Sequence, residues 1–431
     1  MRSTSIVLLI LASSVSVVAQ EKAAPLSESD VRALLERIDR LEKRVADLET
    51  RNVSLQSVSP QPTPPQPAQT AQHTPTGMAG PYARPAHDDQ MPGMQAQIAE
   101  GESFPSLNIR GFADVDFAAS DQPGNTRGFS VGQFVLQFAS RLSKKISYFA
   151  EVSLTAQPNL YNTDLERSFI RYDVNDAAKI SFGRYHTPIN YWNTAFHHGA
   201  WLQTTISRPD MIRFGGSFEP VHFVGAQSEG NIPSGGLNLG YNLGIGNGRG
   251  SIFSRGGDNG DVNNNRAWLV NVYSRPTAFK RLQVGGSYYR DKLSAIAGVG
   301  GNGVDFNEWI AAGHVVWTGE SPEFLAEFAQ VRHRSDLTGN AFDSQGGYAQ
   351  IAYRIPIWEK RWKPYFRYDY VQVPSGAPIF VSDLNNVRGF TLGTRYDISD
   401  FAAFKAEYRN GRATLGTDRA NSVVVQTAFT F

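Results

Sequence analysis

The stretch YHTPINYWNTAFHHGAWLQTTISRPDMIRF, from Tyr185 to Phe214, gathers the residues of this chain most able to do chemistry. It holds His186, His197 and His198, the aromatics Tyr191, Trp192 and Trp201, and the cations Arg208 and Arg213. Such a mixture suits a segment entering a water-filled passage, with aromatics wedged on a wall and polar groups turned to solute. On that reading Arg208, Arg213 and the three histidines line a constriction. Partly protonated imidazoles there would make conductance pH-dependent, and moving from about pH 8 to about pH 5 would shift ion selectivity towards anions. The competing reading is a segment that only packs, or lies across a contact between copies, with histidines as ordinary hydrogen-bonding groups.

Other chemistries fail on spacing. Adjacent His197 and His198 do not readily face one ion, and no carboxylate stands at ligand spacing between them, so no metal is expected. A hydrolase would need a Ser–His or Asp–His pair. Ser207 or Ser254 with His197 is conceivable, but nothing in the sequence ties them together, so no catalytic residue is assigned. GIGNGRG, with Gly244, Gly246 and Gly248, opens no helix and lacks the βαβ setting of a dinucleotide site. Asp258 and Asp261 in RGGDNGDVNNN lack the terminal Glu and the spacing of a calcium loop. No cofactor is implied.

The elements around this stretch must be strands. From about Phe104 to Phe431 the chain alternates polar and apolar residues in segments of about ten. SLNIRGFADVDFAA sets Leu107, Ile109, Ala113, Val115 and Phe117 against Asn108, Arg110, Asp114 and Asp116, with Phe112 among the latter. KKISYFAEVSLTAQ sets Ile146, Tyr148, Ala150, Val152 and Leu154 against Lys145, Ser147, Glu151, Ser153 and Thr155. FAAFKAEYRN sets Phe404, Ala406 and Tyr408 against Lys405, Glu407 and Arg409. Turns such as RLSKK, DVNDAA, SRPTAFKR, TGESP, PIWEKRW and DISD are short. Longer connections run over 120–127, 157–164, 186–212, 247–265, 291–305, 334–343, 372–385 and 410–421. Eight long loops facing short turns predict an all-β fold, an antiparallel transmembrane barrel of about sixteen strands. The turn between the sixth and seventh strands, within 214–236, is not evident.

Three segments precede the barrel region, 104–431. Residues 1–19 read as a secretory signal, with Arg2, an apolar run from Ile6 to Ala12 and cleavage after Ala19. Residues 26–56 carry a heptad whose a and d positions are Val31, Leu34, Ile38, Leu41, Val45, Leu48, Asn52 and Leu55. Across a parallel coiled coil Arg37 would meet Glu42 and Arg44 would meet Glu49, while Asn52 would fix the register. These eight core residues are therefore expected to mediate homo-oligomerisation. Residues 57–103 form a Pro- and Gln-rich linker.

The composition agrees. The chain has 41 basic and 40 acidic residues, which argues against a nucleic-acid partner. It has no cysteine, so disulfides, thiolate sites and an N-terminal lipid anchor are excluded. Its 26 Phe, 17 Tyr and 40 Gly favour strands joined by tight turns.

With these parts in order, the chain resembles the phosphate-selective porin O and P family of outer-membrane porins and relatives with a periplasmic N-terminal coiled coil. FGRYHTPINYWNTAFHHGAWLQTTISRP and the terminal AFTF carry the resemblance. It implies a trimeric sixteen-stranded porin in the outer membrane of a Gram-negative cell, a passive channel for small hydrophilic solutes, not an enzyme. Its partners would be membrane lipids, small solutes such as phosphate or other anions, and the barrel-assembly machinery, which reads a terminal Phe such as Phe431. In that family pore-facing arginines select phosphate. By alternation Arg110, Arg171, Arg367 and Arg409 are the lumen candidates here, with Asp114, Asp116, Glu151, Asp369 and Glu407 beside them. β-branched a residues with Leu at d lean towards a dimer, whereas barrel-to-barrel contact buries more surface and favours the trimer. A structural tether or adhesin with a plugged barrel is the alternative function, and a barrel hydrolase is a further one.

Overall fold

A strand with one charged face and one apolar face must put each in a different medium, and the computed structural model shows which goes where. It describes residues 104–122, 127–157, 159–213, 218–250, 255–261, 263–294, 304–380, 386–412 and 419–431, with Lys43. The expected signal and linker, and the expected heptad helix apart from Lys43, lie outside the described residues.

Four strands and a fifth precede the histidine-rich stretch: β1 (Ser106–Ser120), β2 (Gly128–Arg141), β3 (Ile146–Ala156), β4 (Tyr161–Asn175) and β5 (Ala178–His186). After it come β6 (His222–Ile232), β7 (Leu239–Asn247), β8 (Ala267–Ser274), β9 (Leu282–Leu293), β10 (Phe306–Trp317) and β11 (Glu323–Ser335). The last five are β12 (Ala341–Ala352), β13 (Trp362–Gln372), β14 (Val387–Ser399), β15 (Ala402–Arg412) and β16 (Arg419–Thr430). Each pairs antiparallel with its neighbours in sequence, and β16 returns to β1, so the barrel is closed.

Polarity is inverted relative to a water-soluble barrel. In β13 the buried residues are Lys363, Tyr365, Arg367, Asp369 and Val371, while Trp362, Phe366 and Tyr368 are exposed. In β15 Lys405 and Glu407 are buried and Phe404 and Tyr408 exposed. Phe129 is 85% exposed, Leu107 63% and Ile245 57%, on an outward surface far more apolar than a monomer leaves in water. Aromatic pairs border this surface near both rims. Trp362 and Tyr396 lie 4.9 Å apart at the short-turn end, and Phe117 and Phe129 lie 5.0 Å apart at the long-loop end. That arrangement matches a strand wall solvated by hydrocarbon between two interfacial belts.

The closing strand β16 meets β1 from Phe112 onwards. Phe112 opposes Thr430, and Gly111 exchanges backbone bonds with Phe431 at 2.8 and 3.1 Å, whereas Leu107 pairs only with Ser140 of β2. The stagger that a tilted barrel requires sets this offset. Phe431 stacks on Phe134 at 5.8 Å, and a Cβ on Gly111 would lie 2.3 Å from its ring. Gly111→Leu is therefore expected to cost about 1–3 kcal/mol by overpacking the seam. On unheated denaturing gels the variant should show a smaller fraction of folded, fast-migrating barrel. An unchanged fraction would mean that the Phe431 ring is not part of the seam.

Seven connections at one rim are short, and those at the other vary widely. Two expected to be long are not: β3 meets β4 after 157–160, and β11 meets β12 after 336–340. The strands are longer than their apolar segments suggest. Tyr161 and Thr163 pair with Ala156 and Leu154, and Arg332 bridges Asp343 at 2.7 Å across β11 and β12. The obscure turn falls at 233–238, where Asn238 takes a left-handed φ of 45°.

Candidate functional site

The connection 187–221 is the longest among the strands, and its described residues, 187–213 and 218–221, fold into the barrel. Thr187 and Val221 still share a backbone bond at 3.0 Å. Pro188 then removes a donor from the ladder, and Asn190 turns the chain at φ 58°. One helical turn, α1 (Trp192–Ala195), follows. A helix this short has no stability of its own. Its start is held by Glu327 on the far wall, whose Oε1 accepts from the N–H groups of Tyr191 and Trp192 at 2.8 and 2.6 Å.

The apolar residues of the loop make a core inside the barrel. Ile189, Trp192, Phe196, Met211, Ile212 and Phe218 are buried. Trp192 meets Tyr348 of β12 edge-on at 5.7 Å, and Phe218 stacks at 5.3 Å on Phe380 of the 373–386 connection.

Its polar backbone is satisfied by charged side chains of β13, β14 and β15. Arg367 donates to Ser207 O at 2.7 Å, Ser207 Oγ at 2.8 Å and Arg208 O at 3.0 Å, while its Nε holds Asp369 at 2.8 Å. Arg395 donates to Trp201 O at 2.6 Å and Gln203 O at 3.0 Å. Lys405 donates to Gln203 O at 2.8 Å, Thr205 O at 3.0 Å and Ala200 O. In return Glu407 accepts from the Ile206 N–H at 2.9 Å, and Asp369 from the Asp210 N–H at 3.0 Å. The Asp210 carboxylate pairs with Arg409. Buried carbonyls and amides that secondary structure leaves unpaired are thus met by ions, the strong class of hydrogen bond.

The residues singled out in the sequence therefore fall into different places. Arg367 and Arg409 belong to this clamp. Arg208 lies within the loop, donating to His197 O at 2.6 Å and Ile212 O at 2.9 Å, and Arg213 is half-buried beside it. His186, His197 and His198 come together, and His222 joins them. Arg110 is exposed near the short-turn rim of β1, away from the loop. Ser207 spends its hydroxyl on Arg367, and Ser254 lies outside the described residues. Lys363, Arg395, Lys405 and Glu327 were not singled out. Lys405 and Arg395 share a strand face with Glu407 and Asp397, a parity signal that was present in the sequence.

Burial decides the charge states in the loop. It holds the His197 imidazole well below its ordinary range, neutral at pH 7. This displaces the pH response expected of an exposed histidine to more acidic conditions. Burial, reinforced by Glu327, pushes the Glu219 carboxyl well above its usual range, and Asn190 Nδ2 donates to it at 2.8 Å. An acid raised in the folded state keeps a proton that the unfolded chain loses above about pH 4.3, so stability falls as pH rises past that value. Glu219→Gln is expected to flatten this slope. Unfolding midpoints should drop between about pH 5 and about pH 8 in the wild type more than in the variant. Parallel curves would show that Glu219 is ionised in the folded loop.

No protein-family model matches the chain, and no curated protein matches it in sequence. Solved structures match it in shape. The anion-selective porin from Comamonas acidovorans aligns with TM-score 0.54 and 11% identity, over 76% of this chain and 100% of that one. The trimer form of OmpT from Vibrio cholerae aligns with TM-score 0.52 and 13% identity, over 76% and 99%. OmpF of Salmonella typhi, in complex with daunomycin, gives 0.51 and 14%, over 75% and 97%. At such identities the likeness is one of fold, and the fold is the sixteen-stranded barrel of the outer-membrane porins.

Proposed function

We propose that the protein is an outer-membrane porin, a passive diffusion channel for small hydrophilic solutes whose third long loop, 187–221, sets the constriction. One observation carries the reading: a closed barrel with apolar residues outside and charged residues inside, into which the 187–221 loop folds against a wall of cations. A catalytic role has no comparable support, since the serine at hand is bonded to arginine rather than imidazole.

The selectivity we infer is a modest preference for small anions such as phosphate or carboxylates. Lys363, Arg367, Arg395, Lys405 and Arg409 crowd one side of the lumen, yet carboxylates pair with them. Glu323 meets Lys363 at 2.8 Å and Asp397 meets Arg395 at 2.7 Å. A mixed lining favours a bias over strict selection. Arg110, His186, His197, His198, Arg208 and Arg213 remain candidates for shaping the passage. Liposome-swelling assays with uncharged and anionic solutes of increasing size test this. Swelling that falls with solute size and favours anions of equal size supports the channel; no swelling with any solute sinks it.

The same reading gives a homotrimer, with the 26–56 coiled coil in the periplasm, the first 19 residues removed on export and Phe431 presented to the assembly machinery. Deleting residues 20–103 is expected to weaken oligomerisation while leaving a folded barrel. A full-length protein that stays monomeric in mild detergent would contradict the stalk's role. The apolar core inside the lumen favours one second reading, a barrel plugged at rest. Its mark would be swelling only after the loop is loosened.

A further inference from the structure

The three histidines of the Tyr185–Phe214 stretch converge on a carboxylate. Glu166 of β4, His186 at the end of β5, His222 at the start of β6, and His197 and His198 just after α1 are all buried. Glu166 Oε2 lies 2.9 Å from His222 Nε2, 3.1 Å from His198 Nε2 and 3.8 Å from His197 Nε2. One ring nitrogen from each of His186, His197 and His198 falls within 4.8 Å of the other two, and Glu166, His197 and His222 meet the same measure. His186, only 6% exposed, forms no hydrogen bond at either ring nitrogen. Buried imidazole nitrogens without partners are rare and need a reason.

We propose that Glu166, His186, His197, His198 and His222 form a binding site for one divalent transition-metal ion of the zinc type, which fastens the third loop to β4, β5 and β6. Neighbouring groups orient the donors. Asn193 Nδ2 donates to Thr187 O and Val221 O, both at 2.9 Å, so its Oδ1 is what His197 Nδ1 meets at 2.9 Å. Gln133 Oε1 meets His198 Nδ1 at 3.2 Å. An amide oxygen only accepts, so both histidines carry their proton on Nδ1 and, when neutral, turn an Nε2 lone pair to the carboxylate. Ser153 Oγ donates to Glu166 Oε1 at 2.6 Å, leaving Oε2 for the imidazoles. Such outer partners are the usual support of histidine and carboxylate ligands.

Lone pairs facing a carboxylate oxygen repel, and a cation among them removes the conflict. A proton satisfies one lone pair, whereas a metal ion satisfies three or four. Arg184 at Glu166 O, 3.0 Å, and Arg208 at His197 O already supply positive charge, so several imidazoliums in the same volume would be worse. Imidazole nitrogen with one carboxylate suits zinc, nickel or copper rather than magnesium or calcium, which prefer all-oxygen sets. Zinc–nitrogen bonds of about 2.0–2.1 Å put tetrahedral ligands about 3.4 Å apart, so the cluster closes on an ion by moving its side chains roughly 1 Å.

The test is independent of whether the barrel conducts. Tag-free protein in detergent is titrated with zinc chloride by calorimetry, with magnesium chloride as the control. One zinc per chain is expected and no magnesium, with affinity falling on the order of 10²-fold or more in Glu166→Gln and in the His186→Ala, His222→Ala double variant. The variants are first shown to migrate as folded barrels. Cobalt(II) added to the unaltered protein should give the intense visible bands of a tetrahedral nitrogen–oxygen site, a readout that needs no variant. No zinc binding, undiminished binding in folded variants, or only the pale spectrum of hydrated cobalt would overturn the proposal.

Discussion

Arg367→Ala is expected to release the third loop from the wall and raise single-channel conductance sharply. Arg367 is fully buried, and its guanidinium carries Ser207 O, Ser207 Oγ, Arg208 O and Asp369 at once. Alanine leaves three acceptors and a carboxylate without their donor in a space that water reaches poorly. Removing one partner of a buried pair typically costs about 3–5 kcal/mol. At about 1.4 kcal/mol per tenfold change, the undocked population rises by roughly 10²-fold or more. The barrel should survive, because the strand ladders do not pass through this side chain. Arg367→Lys keeps the charge but not the fork and is expected to fall between the two. Unchanged conductance and unchanged protease resistance within 187–213, in a variant that migrates as a folded barrel, would show that the clamp does not hold the loop.

Trp192→Ala attacks the same docking from its apolar side. The indole is fully buried, 4.9 Å from Phe196 and 5.7 Å from Tyr348. Truncating a buried aromatic costs about 3–5 kcal/mol, through lost transfer energy and the cavity left behind. The loss should again appear as loop release, with noisier current and new cleavage sites between α1 and Ser207. Because Trp192 lies on the α1 side and Arg367 on the β13 side, the double variant tells whether the loop docks as one unit. An effect equal to the larger single change would mean that either break frees the whole loop. Near-additive effects would mean two separately held halves.

The barrel was legible because its signal is local. A strand declares its faces within a few residues, and alternation in FAAFKAEYRN or KKISYFAEVSLTAQ needs no knowledge of the partner strand. The destination of the third loop is written in pairs far apart in the chain. Trp192 N–H finds Glu327, Lys405 finds the carbonyls of 200–205, and no spacing within the loop encodes either. Glu166 was invisible for a different reason. The β3–β4 register shifts between the Glu151–Arg167 and Val152–Leu165 pairs, leaving Glu166 as an extra residue buried beside Arg167. A β-bulge re-aims a side chain without changing the composition around it. His222 escaped because the start of β6 has no clear alternation, so the sequence alone could not bring it beside His197. Both omissions made a carboxylate seem absent where the fold supplies one.

The central claim is that this barrel conducts and that its third loop sets the conductance. The most direct test is to insert the purified protein into a planar bilayer and record single channels across a potassium chloride gradient, for the wild type and Arg367→Ala side by side. Our account predicts wild-type steps grouped in threes, a reversal potential shifted towards that of chloride, and larger steps in the variant. Silence from both proteins, inserted as folded barrels, would contradict it.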